Sequence, residues 1–139
     1  MSWVVYALLS AFFAALTAIL AKIGIKNVDS NLATAIRTTV ILVITWGIVL
    51  IQGTQSNLSS ISKYSYLFLI LSAFATGLSW LFYFKALQIG EASKVAPIDK
   101  LSLVLTVLMA VIFLREKITL AVGIGVVLMA IGAVIISLG

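Results

Sequence analysis

Four ionisable residues, Arg37, Lys85, Asp99 and Lys100, stand inside long apolar stretches of the chain. A charge near the middle of a bilayer costs about 2.5–3.5 kcal/mol even on the lenient insertion scale, so such residues mark a solute or ion pathway, or a paired charge. A carboxylate in that setting can take up and release a proton or receive a cationic group. A guanidinium or ammonium can receive an anion. Asp99 is the leading candidate, because its short side chain cannot reach the interface. Arg37, Lys85 and Lys100 have longer chains that can also carry their charge outward. Three bases against one acid favour an anionic or zwitterionic solute over a simple cation.

Composition removes most other chemistry. The chain has no cysteine and no histidine, so it offers no disulfide, no thiolate or imidazole metal set and no Cys–His or Ser–His nucleophile. No phosphate-binding glycine loop is present either, and neither an enzyme, a cofactor nor a metal is expected. Nine Lys and Arg against four Asp and Glu give a net charge of +5, but the basic residues are scattered singly, which speaks against nucleic acid. Of the 139 residues, 63% are hydrophobic and 9% charged, too few to clothe a soluble domain, so the exterior must face lipid.

The elements that position the four charges follow from length. A bilayer core about 30 Å thick needs roughly 20 apolar residues in a helix. Five stretches meet this, at about 3–24, 32–52, 64–89, 95–114 and 118–138. The expected fold is therefore an all-α integral membrane bundle of five transmembrane helices forming a single domain. Its first helix is retained rather than cleaved as a signal. Asp29-Ser30-Asn31 suits a helix N-cap, Gly53 to Lys63 reads as a solvated loop, Gly90 to Ser93 as a tight turn, and Pro97 as a first-turn proline.

Polar residues recur on one face of four helices. They are Tyr6, Ser10 and Thr17 in the first, and Thr34, Thr38 and Thr45 beside Arg37 in the second. The third carries Ser72, Thr76, Ser79 and Tyr83, and the fourth Asp99, Ser102 and Thr106. Such faces either line a shared cavity, with Trp80 and Tyr83 able to stack a flat group, or bond back to their own helices. Folding the third and fourth helices together brings Lys85 level with Asp99 and suggests an ion pair, although Lys85 lies about 200° round from Tyr83. The fifth helix is nearly free of polar residues. Its Ala121, Gly125 and Gly132 suit close packing, against a second copy or within its own bundle.

The run Phe82-Tyr83-Phe84-Lys85-Ala86-Leu87-Gln88-Ile89-Gly90-Glu91-Ala92-Ser93-Lys94-Val95-Ala96-Pro97-Ile98, followed after an apolar helix by Phe113-Leu114-Arg115-Glu116-Lys117-Ile118-Thr119, resembles the signature of EamA-type domains. These belong to the drug/metabolite transporter superfamily. The resemblance covers essentially the whole chain and implies one half of an inverted-repeat transporter, which must pair with a second copy or a relative. It implies a cavity built mostly by the first four helices. A more distant likeness to four-helix small multidrug resistance proteins lacks their first-helix glutamate.

Orientation is weakly encoded. Lys22, Lys26 and Lys94 fall on one side and Lys63, Arg115 and Lys117 on the other. Adding Arg37, Lys85 and Lys100 to the first side favours an external N-terminus, whereas the family habit is a cytoplasmic one. A chain with so little bias can insert both ways, and an antiparallel homodimer would recreate an inverted repeat. A heterodimer with a related half-transporter is the alternative. The expected function is a secondary transporter, an exporter of a small metabolite or drug-like solute in the cell membrane, with a non-transporting accessory subunit as the other reading.

Overall fold

The computed structural model describes residues 2–139 and is helical throughout, with no strand among the described residues. Helix α1 spans Trp3–Gly24, α2 Ser30–Gln52, α3 Lys63–Ile89, α4 Ala92–Asp99, α5 Leu101–Phe113 and α6 Leu120–Leu138. Helices α4 and α5 are successive parts of one stretch, so five segments are long and apolar enough to cross a membrane. The longest, α3, has 27 residues and the shortest, α6, has 19, about 40 and 28 Å of helix.

The helix ends show why the chain turns where it does. Asp29 caps α2, its Oδ1 accepting from the backbone N–H of Asn31 at 2.9 Å and of Leu32 at 3.0 Å, as the Asp29-Ser30-Asn31 cluster predicts. At the other end of α2, Gly53 adopts a left-handed φ of 69° and gives its N–H to the Leu50 carbonyl at 3.2 Å. The stretch beyond Gly53 is not the plain loop expected: Thr54–Ser60 form a 3₁₀ helix, pinned by the Tyr66 hydroxyl on the Leu58 carbonyl at 3.0 Å.

The fourth span also departs from expectation. It starts at Ala92, three residues before the expected 95, because Glu91 is extended (ψ 135°) and its carbonyl already receives the Lys94 and Val95 N–H groups. Pro97 therefore sits inside α4 rather than in its first turn. A proline there has no N–H to give the Ser93 carbonyl, and its ring crowds that turn. The helix is interrupted at Lys100, three residues on, where the Lys100 N–H is shared between Ala96 at 3.3 Å and Pro97 at 3.1 Å.

The described chain packs as two compact units. One comprises residues 20–88. Its buried residues are Ala21, Ile25, Ser30, Ala33, Thr34, Phe84 and Leu87. Two long-range ties fasten it. Lys22 Nζ donates to the Leu87 carbonyl near the end of α3, and Gln88 Nε2 donates to the Val28 carbonyl at 2.8 Å and the Ile25 carbonyl at 3.4 Å. These carbonyls lie at or just beyond helix C-termini, where helical N–H groups run out, although Ile25 also receives the Val28 N–H at 3.4 Å, and a lysine there complements the negative end of the helix dipole. The other unit comprises residues 89–139 with the N-terminal residues up to Ile19; in it α6 packs against both α4 and α5, burying Ala133.

Two expectations follow. Gln88→Ala leaves the Val28 carbonyl short of a donor and removes one of two from Ile25, and should destabilise the protein by about 1–3 kcal/mol, whereas Lys85→Met, removing only an exposed bond, should cost under about 0.5 kcal/mol. Thermal unfolding in a nonionic detergent compares them. Backbone strain predicts opposite signs at two turns. Gly53→Ala should lower stability by about 1 kcal/mol, and Arg115→Gly, at a residue held at φ 55°, should raise it by up to about 1 kcal/mol. An Arg115→Gly protein that melts earlier than the parent would mean the arginine side chain stabilises more than its backbone strain costs.

Candidate functional site

Helix α3 turns Gly77, Leu81, Phe84 and Gln88 toward its neighbours in the 20–88 unit, spaced four, three and four residues apart. Gly77 and Leu81 border an open groove of about 380 Å³ whose other wall is α2, with Asn31, Thr34, Thr38 and Thr39. The Ser72, Thr76, Ser79 and Tyr83 stripe lies about 100° or more round α3 from Gly77 and does not border this groove. Of the two polar faces, that of α2 thus meets the groove and that of α3 turns elsewhere.

At the end of this α3 face, Phe84 is almost wholly buried and carries an aromatic cluster. Tyr83 packs edge-on at 5.4 Å between ring centroids and Trp80 at a tilt at 6.5 Å. The Arg37 guanidinium lies over the Phe84 ring, 4.5 Å from its centroid, close enough for a cation–π attraction. Arg37 Nε is buried without a hydrogen-bond partner. Arg37, Trp80 and Tyr83, three of the residues the sequence marks, are gathered about Phe84. Phe84 stands in the quoted family signature but drew no functional reading of its own.

Most threonine hydroxyls on these helices bond back to their own backbone. Thr34 donates to the Ser30 carbonyl at 2.7 Å, Thr38 to Thr34 at 2.8 Å, Thr39 to Ala35 at 3.0 Å and Thr45 to Ile41 at 2.9 Å. Thr76 bonds Ser72 at 2.9 Å and Thr106 bonds Ser102 at 2.8 Å. That hides each hydroxyl proton from hydrocarbon. Ser72, Ser79 and Ser102 are exposed.

Lys85 and Asp99, expected to pair, each have a partner close by in sequence. Lys85 Nζ donates to Gln88 Oε1 at 3.1 Å, and Lys100 Nζ lies 3.4 Å from Asp99 Oδ2. The Asp99–Lys100 pair spans adjacent residues at the helix break, its side chains 33% and 53% exposed, so its mutual hold is weak and the carboxylate stays open to other partners. On α6, Ala121 is exposed and a Cβ added at Gly125 or Gly132 would meet no atom within 4 Å. Among the described residues no cluster of acidic side chains could hold a metal ion.

The sequence can be set beside known proteins. It is 48% identical, over 98% of this chain and 96% of the other, to a protein of Sinorhizobium sp described as an uncharacterized transporter in the cobO 3′ region. It is 36% identical to an uncharacterized protein of Methanocaldococcus jannaschii over half of each chain. No solved structure matches it significantly. A family model, that of the EamA-like transporters, matches residues 1–138. With five membrane-competent segments and this match across nearly every residue, the chain belongs to the EamA-like transporter family.

Proposed function

We propose that the chain is a half-size secondary transporter that exports a small metabolite or drug-like solute across the cell membrane, working as a pair of copies by alternating access. The observation that carries this reading is the family match over residues 1–138, which makes the chain a multi-pass membrane transporter of the EamA type. The interruption of the fourth span at Lys100 supports it further, because secondary transporters set solute and coupling groups where a spanning helix is discontinuous. In this reading Asp99, with Lys100 beside it, is the coupling or solute-binding carboxylate, and Arg37 and Lys85 are separate charged groups that meet the solute. Ser72, Thr76, Ser79, Ser102 and Thr106 line the path, Trp80 and Tyr83 stack against the solute, and Ala121, Gly125 and Gly132 let α6 pack on the second copy.

Two measurements test this. Asp99→Asn should cut export at least about tenfold, read as metabolites accumulating in the medium of expressing cells, while crosslinking still captures the pair. Loss of the pair with no export ever detected from the parent chain would point instead to an accessory subunit. The chain has no cysteine, so Ser2→Cys introduces a single label site. Dual insertion predicts that a membrane-impermeant thiol reagent labels about half the molecules in intact cells. Full labelling or none would mean one orientation, and an oppositely oriented relative would replace the antiparallel copy.

A further inference from the structure

The guanidinium of Arg37 has a platform but no acid to pair with in its own unit. Residues 20–88 contain five basic side chains, Lys22, Lys26, Arg37, Lys63 and Lys85, and one acidic side chain, Asp29. The Asp29 carboxylate caps α2 with its Oδ1, and it lies eight residues before Arg37, about 12 Å along the helix. The nearby threonines, Thr34 and Thr38, donate to their own helix and form no bond to Arg37. The residue is partly buried about two turns inside an apolar span, where an unpaired cation is costly. The guanidinium carbon lies over the Phe84 ring, 4.5 Å from its centroid, and Nε is enclosed. The outer edge, with its two terminal nitrogens, is what remains, and that edge matches the two oxygens of a carboxylate or phosphate.

Resting on the transporter reading above, we propose that Arg37, held over the Phe84 ring, receives the anionic group of the solute, a carboxylate or phosphate. Contact with buried Phe84 restrains the guanidinium before the anion arrives, so less side-chain freedom is lost on binding. Lysine is a poorer substitute, because an ammonium keeps the charge but cannot grip two oxygens through a planar fork.

Trp80, 6.5 Å from Phe84, supplies the readout. The chain has three tryptophans, so Trp3→Phe with Trp46→Phe leaves Trp80 as the reporter. The full chain in maltoside micelles is titrated with succinate, with inorganic phosphate and with choline. At least one anion should change the emission saturably and choline should not. Arg37→Gln should weaken that response about tenfold or more, Arg37→Lys by several-fold, and Phe84→Leu, which keeps the site filled, by about threefold. A parallel arm places the protein in nanodiscs of phosphatidylcholine with and without phosphatidylglycerol. If only phosphatidylglycerol alters Trp80 and free anions do nothing, Arg37 grips lipid phosphate and the solute assignment is overturned. No response to any anion overturns it as well. A choline response that survives Arg37→Gln overturns the anionic class while the transporter reading stands; that reading falls separately, if cells expressing the parent chain export nothing beyond controls.

Discussion

A backbone carbonyl at a helix end has no helical N–H to accept from, and residues 20–88 are organised by that demand. The end of α1 and the end of α3 each leave carbonyls that no helical N–H can reach. Each is served by a side chain from the other segment: Lys22 reaches the Leu87 carbonyl, and Gln88 reaches those of Ile25 and Val28. The exchange fixes where α3 stands against the turn between α1 and α2. From that placement follow the burial of Phe84 and Leu87 and the arrival of Phe84 beneath Arg37.

Much of this architecture was legible in the sequence, and what was not has a physical reason. The spans were readable because bilayer thickness sets a minimum apolar run, and the start of α2 because Asp29 is one of the few residues able to cap it. The start of α4 was placed too late because the extended backbone at Glu91 comes from the turn, which hydrophobicity does not encode. That error put Pro97 in the first turn when it lies inside the helix. The 3₁₀ helix after Gly53 was missed because its Ser, Thr and Asn content suits a solvated loop equally well.

The site was half legible. Charge inside an apolar span marks Arg37, helical spacing of polar residues marks Tyr83, and capacity for stacking marks Trp80. These signals pass over the α3 face that packs, because Gly77, Leu81 and Phe84 carry no polar mark. Helix faces in lipid are chosen by shape as much as polarity, since lipid and protein interior are alike in hydrophobicity. Gln88 could have been found as the one amide near the end of α3, and Lys22 as a cation near the end of α1.

The threonines that bond back to their own helices leave a further mark on the groove beside α2. A hydroxyl has one proton and two lone pairs. When Thr34, Thr38 and Thr39 commit their protons to the carbonyls of Ser30, Thr34 and Ala35, only lone pairs remain to face outward. The groove wall is then a row of acceptors with no hydroxyl proton to offer. Along its three threonines, a wall that residue type alone would describe as two-handed has, in this fold, a single polarity.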